Sequence, residues 1–201
     1  MSAKHARAPM DPALHSKLEQ LQDEGHEMWR RFDVEVRQQN WHPFVPADYG
    51  MVLDTLRDLS GEGASFLEWG SANGVITIMA DLLGYDACGI ELDPGLVEEA
   101  RGLATRYVSA ARFAEGSFLP AGYEYRDPTG DRRTGTIGTG RSGYLALGMP
   151  LEDFDFVYGY PWGGEESVMH DVMKKYGGRN ARLLMQGSTG IQIFRNGRRE
   201  G

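Results

Sequence analysis

The chain has 201 residues, enough for one domain with a sizeable core and cramped for a second. Its composition, 41% hydrophobic and 25% charged with no apolar run long enough to span a bilayer, is that of an ordinary soluble protein, cytoplasmic by default and without a membrane partner. A formal net charge of −8 argues against sequence-independent nucleic-acid binding, and a single cysteine, Cys88, excludes both a disulfide framework and a thiolate metal cluster.

Residues 1–11 are polar, contain Pro9, lack the apolar segment of a signal peptide, and read as a disordered tail. From Pro12, apolar or small residues at Leu14, Leu18, Leu21, Gly25, Met28 and Phe32 trace one helical face through about Gln39, either unbroken or interrupted near Gly25. This helix could cap the sheet, offer a homodimer surface, or simply cover core. Residues 41–50 carry two prolines and several aromatics, a stiff extended connector that enters a helix at Asp48 with Val52, Leu53, Leu56 and Leu59 as its buried stripe. His42 lies in this connector, where a hydrogen-bonding or surface histidine is commoner than a catalytic one. Residues 12–60 form an N-terminal helical cap and connector.

The organising stretch is Phe66 to Ala80: a short apolar run, a turn containing Gly70 and Gly74, then an apolar helix closing at Leu83-Gly84. Two glycines let backbone approach a ligand, while the helix aims free N–H groups at the same place. A second strand, Ala87 to Glu91, ends in a carboxylate 23 residues after Glu68, the spacing at which an acid meets ribose hydroxyls. G-x-G-x-x-G and the G-x-x-x-x-G-K-[ST] phosphate loop are both absent, which disfavours a pyrophosphate cofactor. The pattern E-x-G-x-x-x-G followed by G-I-E resembles the first motifs of the class I (seven-strand) S-adenosylmethionine-dependent methyltransferases.

The Phe44-Val45-Pro46 connector leading through one helix into the glycine loop is similar to the arrangement in non-SET histone lysine methyltransferases and in ATP synthase c-subunit lysine methyltransferases. The likeness covers Phe44 to Leu119 and stops short of the substrate half. It implies a doubly wound, Rossmann-like α/β sheet over residues 61–196, mostly parallel with a C-terminal antiparallel strand, and S-adenosyl-L-methionine as cofactor. It also implies cofactor contacts from Val45, Glu68, Gly70, Ser71, Asn73, Gly74, Glu91, Leu92, Gly116, Ser117, Phe118 and Tyr158. In that resemblance Ser117 stands where an acid accepts from the adenine amino group, and Phe118 packs on the ring; read from the residues alone, either could equally be a simple turn.

Asp93-Pro94 opens the next helix, and Ala111 to Ala114 is a third strand. Residues 120–150 hold seven glycines, too costly in backbone entropy for a helix. They read as an irregular insertion: a hairpin from about Glu124 to Arg126 and Tyr144 to Leu147 around a mobile tip, 129–142, serving as substrate lid or tolerated loop. Arg132, Arg133 and Arg141 at the tip either steer an anion or keep the loop solvated. The fourth strand, Asp153 to Tyr158, runs into Gly159-Tyr160-Pro161-Trp162, which resembles the [DNS]-P-P-[YFW] motif of amino-methylating enzymes in Pro161 and the terminal aromatic Trp162 and departs from it at the first residue, where Gly159 stands in place of an Asn or Asp. Tyr158, Tyr160 and Trp162 are the candidate catalytic residues, because their π faces attract a sulfonium or an amine. Glu165 and Glu166 suit the start of the next helix better than a general-base role. A fifth strand (Ala181 to Gln186), a turn and a sixth strand (Ile191 to Arg195) precede a charged, frayed tail, 196–201.

No metal is called for, since in-line methyl displacement needs alignment more than a strong base, and the five histidines are scattered. The leading expectation is a methyltransferase (EC 2.1.1) acting on an amine, a protein lysine or a small molecule. A non-catalytic S-adenosylmethionine-binding module is the alternative, and a nucleotide-sugar or nicotinamide enzyme is third.

Overall fold

A computed structural model describes residues 9–40, 42–125, 137–162 and 164–200. The sequence expectations for 1–8, for Trp41, for the loop tip with Arg132 and Arg133, and for Gly163 lie outside the described residues. Seven strands form one sheet in the order β3-β2-β1-β4-β5-β6-β7. β1 (Ser65–Trp69), β2 (Asp86–Glu91), β3 (Arg112–Glu115), β4 (Phe156–Gly159) and β5 (Arg182–Gly187) are parallel. β6 (Gly190–Arg195) and β7 (Arg198–Arg199) close the sheet antiparallel. The chain order reverses between β1 and β4, which places the switch point of a doubly wound sheet at their carboxyl ends. β1 is buried along its whole length, as a strand covered on both faces must be.

The helices sort by their apolar stripes. α1 (Pro12–Phe32) begins at Asp11, whose carboxylate accepts from Leu14 N–H, and runs unbroken past Gly25. A Cβ on Gly25 would lie 2.5 Å from Val75 Cγ2, so glycine here lets α1 press closely on α3 (Val75–Leu82). Leu18, Leu21 and Met28 bury the same face in the core with α2 (Tyr49–Asp58). After α1 comes one π-helical turn, Asp33–Arg37, and then the connector. α4 (Pro94–Arg106) starts on Asp93, which accepts from Gly95 and Leu96 N–H. α6 (Glu166–Tyr176) packs on the other sheet face with Trp69, Val157 and Leu183.

Two expectations need correction. The hairpin in 120–150 does not form in the described part: Tyr144–Leu147 is a single helical turn, α5, closed by left-handed Gly148 (φ 68°). It forms because Tyr144 is buried, its hydroxyl accepting from Trp69 Nε1 at 2.8 Å, so tertiary packing offsets the entropy that glycines cost. Ahead of it, residues 137–143 run beside the end of β3, bridged at Ser117 and Ser142. The tail is not frayed either. Asn196 (φ 52°) and Gly197 (φ 72°) make a two-residue turn that returns β7 onto β6, and Glu200 pairs with Arg182 and Arg195.

Candidate cofactor and acceptor site

At the switch point lies a cavity of about 830 Å³, a size usual for small-molecule sites (roughly 300–1,000 Å³). Its floor is made by strand ends. Glu68 on β1 stands beside Gly89 of β2 and Tyr158 of β4 in register. Its Oε2 accepts from Thr77 N–H (2.9 Å) and Thr77 Oγ1 (2.5 Å), which ties the strand to the first turn of α3. Burial pushes this carboxyl up to about 8 despite those bonds, and the charge of Glu91 adds to the push. The loop between β1 and α3 then folds back over β2. A Cβ on Gly89 would lie 2.6 Å from Ser71 Cβ and Oγ, so the glycine of G-I-E makes room for the loop.

Glu91 fixes that loop from the other side. One carboxylate oxygen accepts from Ala72 N–H (2.9 Å), the other from Leu92 (2.7 Å) and Asp93 (2.9 Å). Burial raises its pKa, and these three donors together with the field of His42 pull it back. Ser71 Oγ and Asn73 Nδ2, both cavity-lining, are buried without a hydrogen-bond partner among the described residues. Unsatisfied buried donors and acceptors in a cavity wall suit a polar ligand.

The opposite walls are apolar. Trp69 and Phe118 stack at 4.7 Å with planes 13° apart, near Ile90, Gly116 and Gly138. The connector, 42–47, crosses the mouth. Trp29 Nε1 donates to Phe44 O (3.4 Å), Arg37 Nε to His42 O (3.2 Å), and Trp162 Nε1 to Pro43 O (3.2 Å). His42 Nδ1 accepts from Phe44 N–H at 3.1 Å, so in its neutral form the proton sits on Nε2, 3.5 Å from Asp93 Oδ2. This histidine holds the connector. Tyr158 is buried, its hydroxyl donating to Gln186 Oε1, and burial keeps it a neutral phenol.

Of the residues expected at the site, Val45, Glu68, Gly70, Ser71, Asn73, Glu91, Leu92, Gly116, Phe118, Tyr158, Tyr160 and Trp162 all line this cavity. Two do not. Gly74 turns into the fold: at φ 80°, its Cβ would meet Phe113 Cζ at 2.7 Å and Ala100 Cβ at 2.8 Å, so it serves helix packing. The hydroxyl of Ser117 donates to Gly138 O (2.6 Å) and accepts from Leu119 N–H (3.1 Å), and the residue is buried behind the cavity wall. Gly159 also takes a different meaning, since a Cβ there would lie 2.8 Å from Met169 Sδ, toward α6. A polar side chain at 159 would not face the cavity.

Sequence reasoning missed Trp69, Tyr49 and Asp93 as lining residues. Trp69 directly follows Glu68 and could have been found as the last residue of β1; Tyr49 is the first residue of α2, where the connector enters the helix. Among the described residues, no cluster of three or more His, Cys, Asp or Glu could hold a metal ion, and no helix is long and apolar enough to cross a membrane.

No family model matches the chain. It is 29% identical over 140 residues to ribosomal protein L11 methyltransferase of Thermus thermophilus, an alignment covering 57% of this chain and 55% of that protein. The chain therefore spans about half the length of this curated relative. Among solved structures, it is similar to an RNA methyltransferase of Salinibacter ruber in complex with S-adenosyl-L-homocysteine (18% identity, TM-score 0.49, covering 70% of this chain and 76% of the other). It is also similar to TehB of Haemophilus influenzae (14% identity, TM-score 0.47, 77% and 43% covered). The strand order, the switch-point cavity and the antiparallel end of the sheet give the chain the Rossmann-like fold of the class I methyltransferases.

Proposed function

We propose that the protein is an S-adenosyl-L-methionine-dependent methyltransferase whose acceptor is an amine, on a protein or a small molecule. One observation carries the reading: among the described residues lining the switch-point cavity, the acidic side chains are Glu68, Glu91 and Asp93, and no lysine or arginine lines it. Such a site favours a ligand with positive charge and disfavours the pyrophosphate of nicotinamide or sugar-nucleotide cofactors. The cofactor would supply a methyl group already activated on a sulfonium. Glu68 would then face its ammonium, and Glu91 its ribose. Trp69 and Phe118, with the Gly116 backbone, would hold the adenine.

Tyr160, Pro161 and Trp162 would form the acceptor wall, apolar enough to favour a neutral amine over ammonium and to exclude water. Tyr158, with its hydroxyl bound to Gln186, orients the wall rather than moving a proton. The matched Thermus protein is named for methylating a ribosomal protein, which makes proteins the first acceptors to try.

Calorimetric titration with S-adenosylmethionine, S-adenosylhomocysteine, NAD and UDP-glucose tests the cofactor. The first two should bind and the others should not; the reverse pattern overturns the reading. Transfer of labelled methyl to a ribosomal-protein panel then tests the acceptor, and binding without any transfer would leave a non-catalytic cofactor-binding module.

A further inference from the structure

Glu165 stands where the loops around the cavity mouth meet. Its backbone is the N-cap of α6, yet its side chain makes no capping bond. Serving a helix dipole needs no burial, because an exposed acid does so equally well. This side chain is only 7% exposed and turns toward the cavity walls. Oε1 accepts from Ile137 N–H at 3.1 Å, and Oε2 accepts from Trp162 N–H at 2.8 Å.

Each donor controls a wall. Ile137 is itself buried and leads directly into Gly138 and Thr139, which line the cavity on the Phe118 side. Trp162 lines the other side, and its indole N–H reaches Pro43 O in the connector. One carboxyl group thus joins the 137–139 and 160–162 segments directly and the 42–47 connector through Trp162. All three are loops, with no sheet ladder to fix their separation.

We infer that Glu165 is a positioning residue that sets the width of the cavity between its cofactor and acceptor sides by holding the Gly138 wall and the Trp162 wall at a fixed distance. Its consequence for ligand binding rests on the methyl-transfer reading, but the tie itself does not. Glu165→Gln keeps the shape and leaves a single acceptor oxygen, so one of the two N–H groups is released.

In the unliganded variant, amide hydrogen exchange should accelerate in segments 137–143 and 160–162 while β1 and α3 keep wild-type protection. S-adenosylhomocysteine affinity should fall by about tenfold, the size of losing one charge-assisted hydrogen bond. Unchanged exchange in both segments overturns the inference, as does loosening spread through the whole sheet or a variant that unfolds outright. Local loosening with wild-type ligand affinity reduces Glu165 to a structural tie and overturns the positioning role. If the wild-type protein binds no S-adenosylhomocysteine, the cofactor proposal fails, and the exchange measurement still decides the tie.

Discussion

The two sides of the cavity are built in different ways. On the Glu68 and Glu91 side, the two carboxylates sit on strands and are bonded mainly to backbone N–H groups of the adjoining loop and helix starts. On the Tyr160 and Trp162 side, the walls are loops joined by single side chains, Glu165 to two segments and Trp162 to a third. Backbone ladders fix the first side whatever occupies it, whereas the second can be adjusted one side chain at a time. The methyl transfer proposed for this protein would use this division: one cofactor geometry, and an acceptor wall that can suit different substrates.

The strand-end side depends most on Gly74, whose left-handed backbone and tight packing hold the ligand-side loop. Gly74→Ala should cost about 2–4 kcal/mol from left-handed strain and overpacking together, seen as a lowered midpoint in thermal denaturation. Next comes Glu68→Ala, which removes the proposed ammonium partner. It should weaken S-adenosylhomocysteine binding by about 2–3 kcal/mol, measured calorimetrically.

Glu68 also predicts a pH dependence. Its pKa rises from the unfolded value of 4.5 to about 8, so between those pH values the native state binds more protons than the unfolded one. Stability of the unliganded protein contributed by this group is therefore full below pH 4.5 and is lost as pH rises through 8. A cationic ligand favours the ionised carboxylate, so its affinity should increase with pH up to about 8. In Glu68→Gln both trends should flatten, and a variant that keeps the wild-type pH profile would remove Glu68 from this role. Glu91→Ala should cost somewhat less, about 1–3 kcal/mol of affinity, because its backbone donors can turn to water at this partly open site.

The same division explains what the sequence made legible. The glycine loop, Glu68, Glu91 and the Asp93-Pro94 helix start were readable because each is a local pattern whose geometry is fixed within a few residues of chain. The five parallel strands followed from apolar runs bounded by turns. Ser117 and Gly159 were misread because side-chain direction at a strand end depends on what packs nearby: a carbonyl at Gly138 for one, Met169 for the other. Tyr144–Leu147 was hidden because a single helical turn owes its existence to a tryptophan 75 residues away. The Asn196-Gly197 turn was readable and was passed over, since its partner strand is only two residues long. No local rule pairs Glu165 with Ile137, 28 positions apart.

The smallest test lies on the loop side. Trp162→Phe keeps an aromatic face toward the acceptor but removes the indole N–H that reaches Pro43 O. A single neutral hydrogen bond contributes about 0.5–1.5 kcal/mol, so cofactor affinity should fall only about two- to tenfold. The informative quantity is how that loss combines with a change on the other wall. Paired with Glu165→Gln, the two losses should fall short of additivity, because both loosen the same connector through the same indole; paired with Glu91→Ala, which acts through the β2 end, they should add. Additivity in both pairs would mean that the loops move independently and that the acceptor wall is not the jointly held surface the bonds describe.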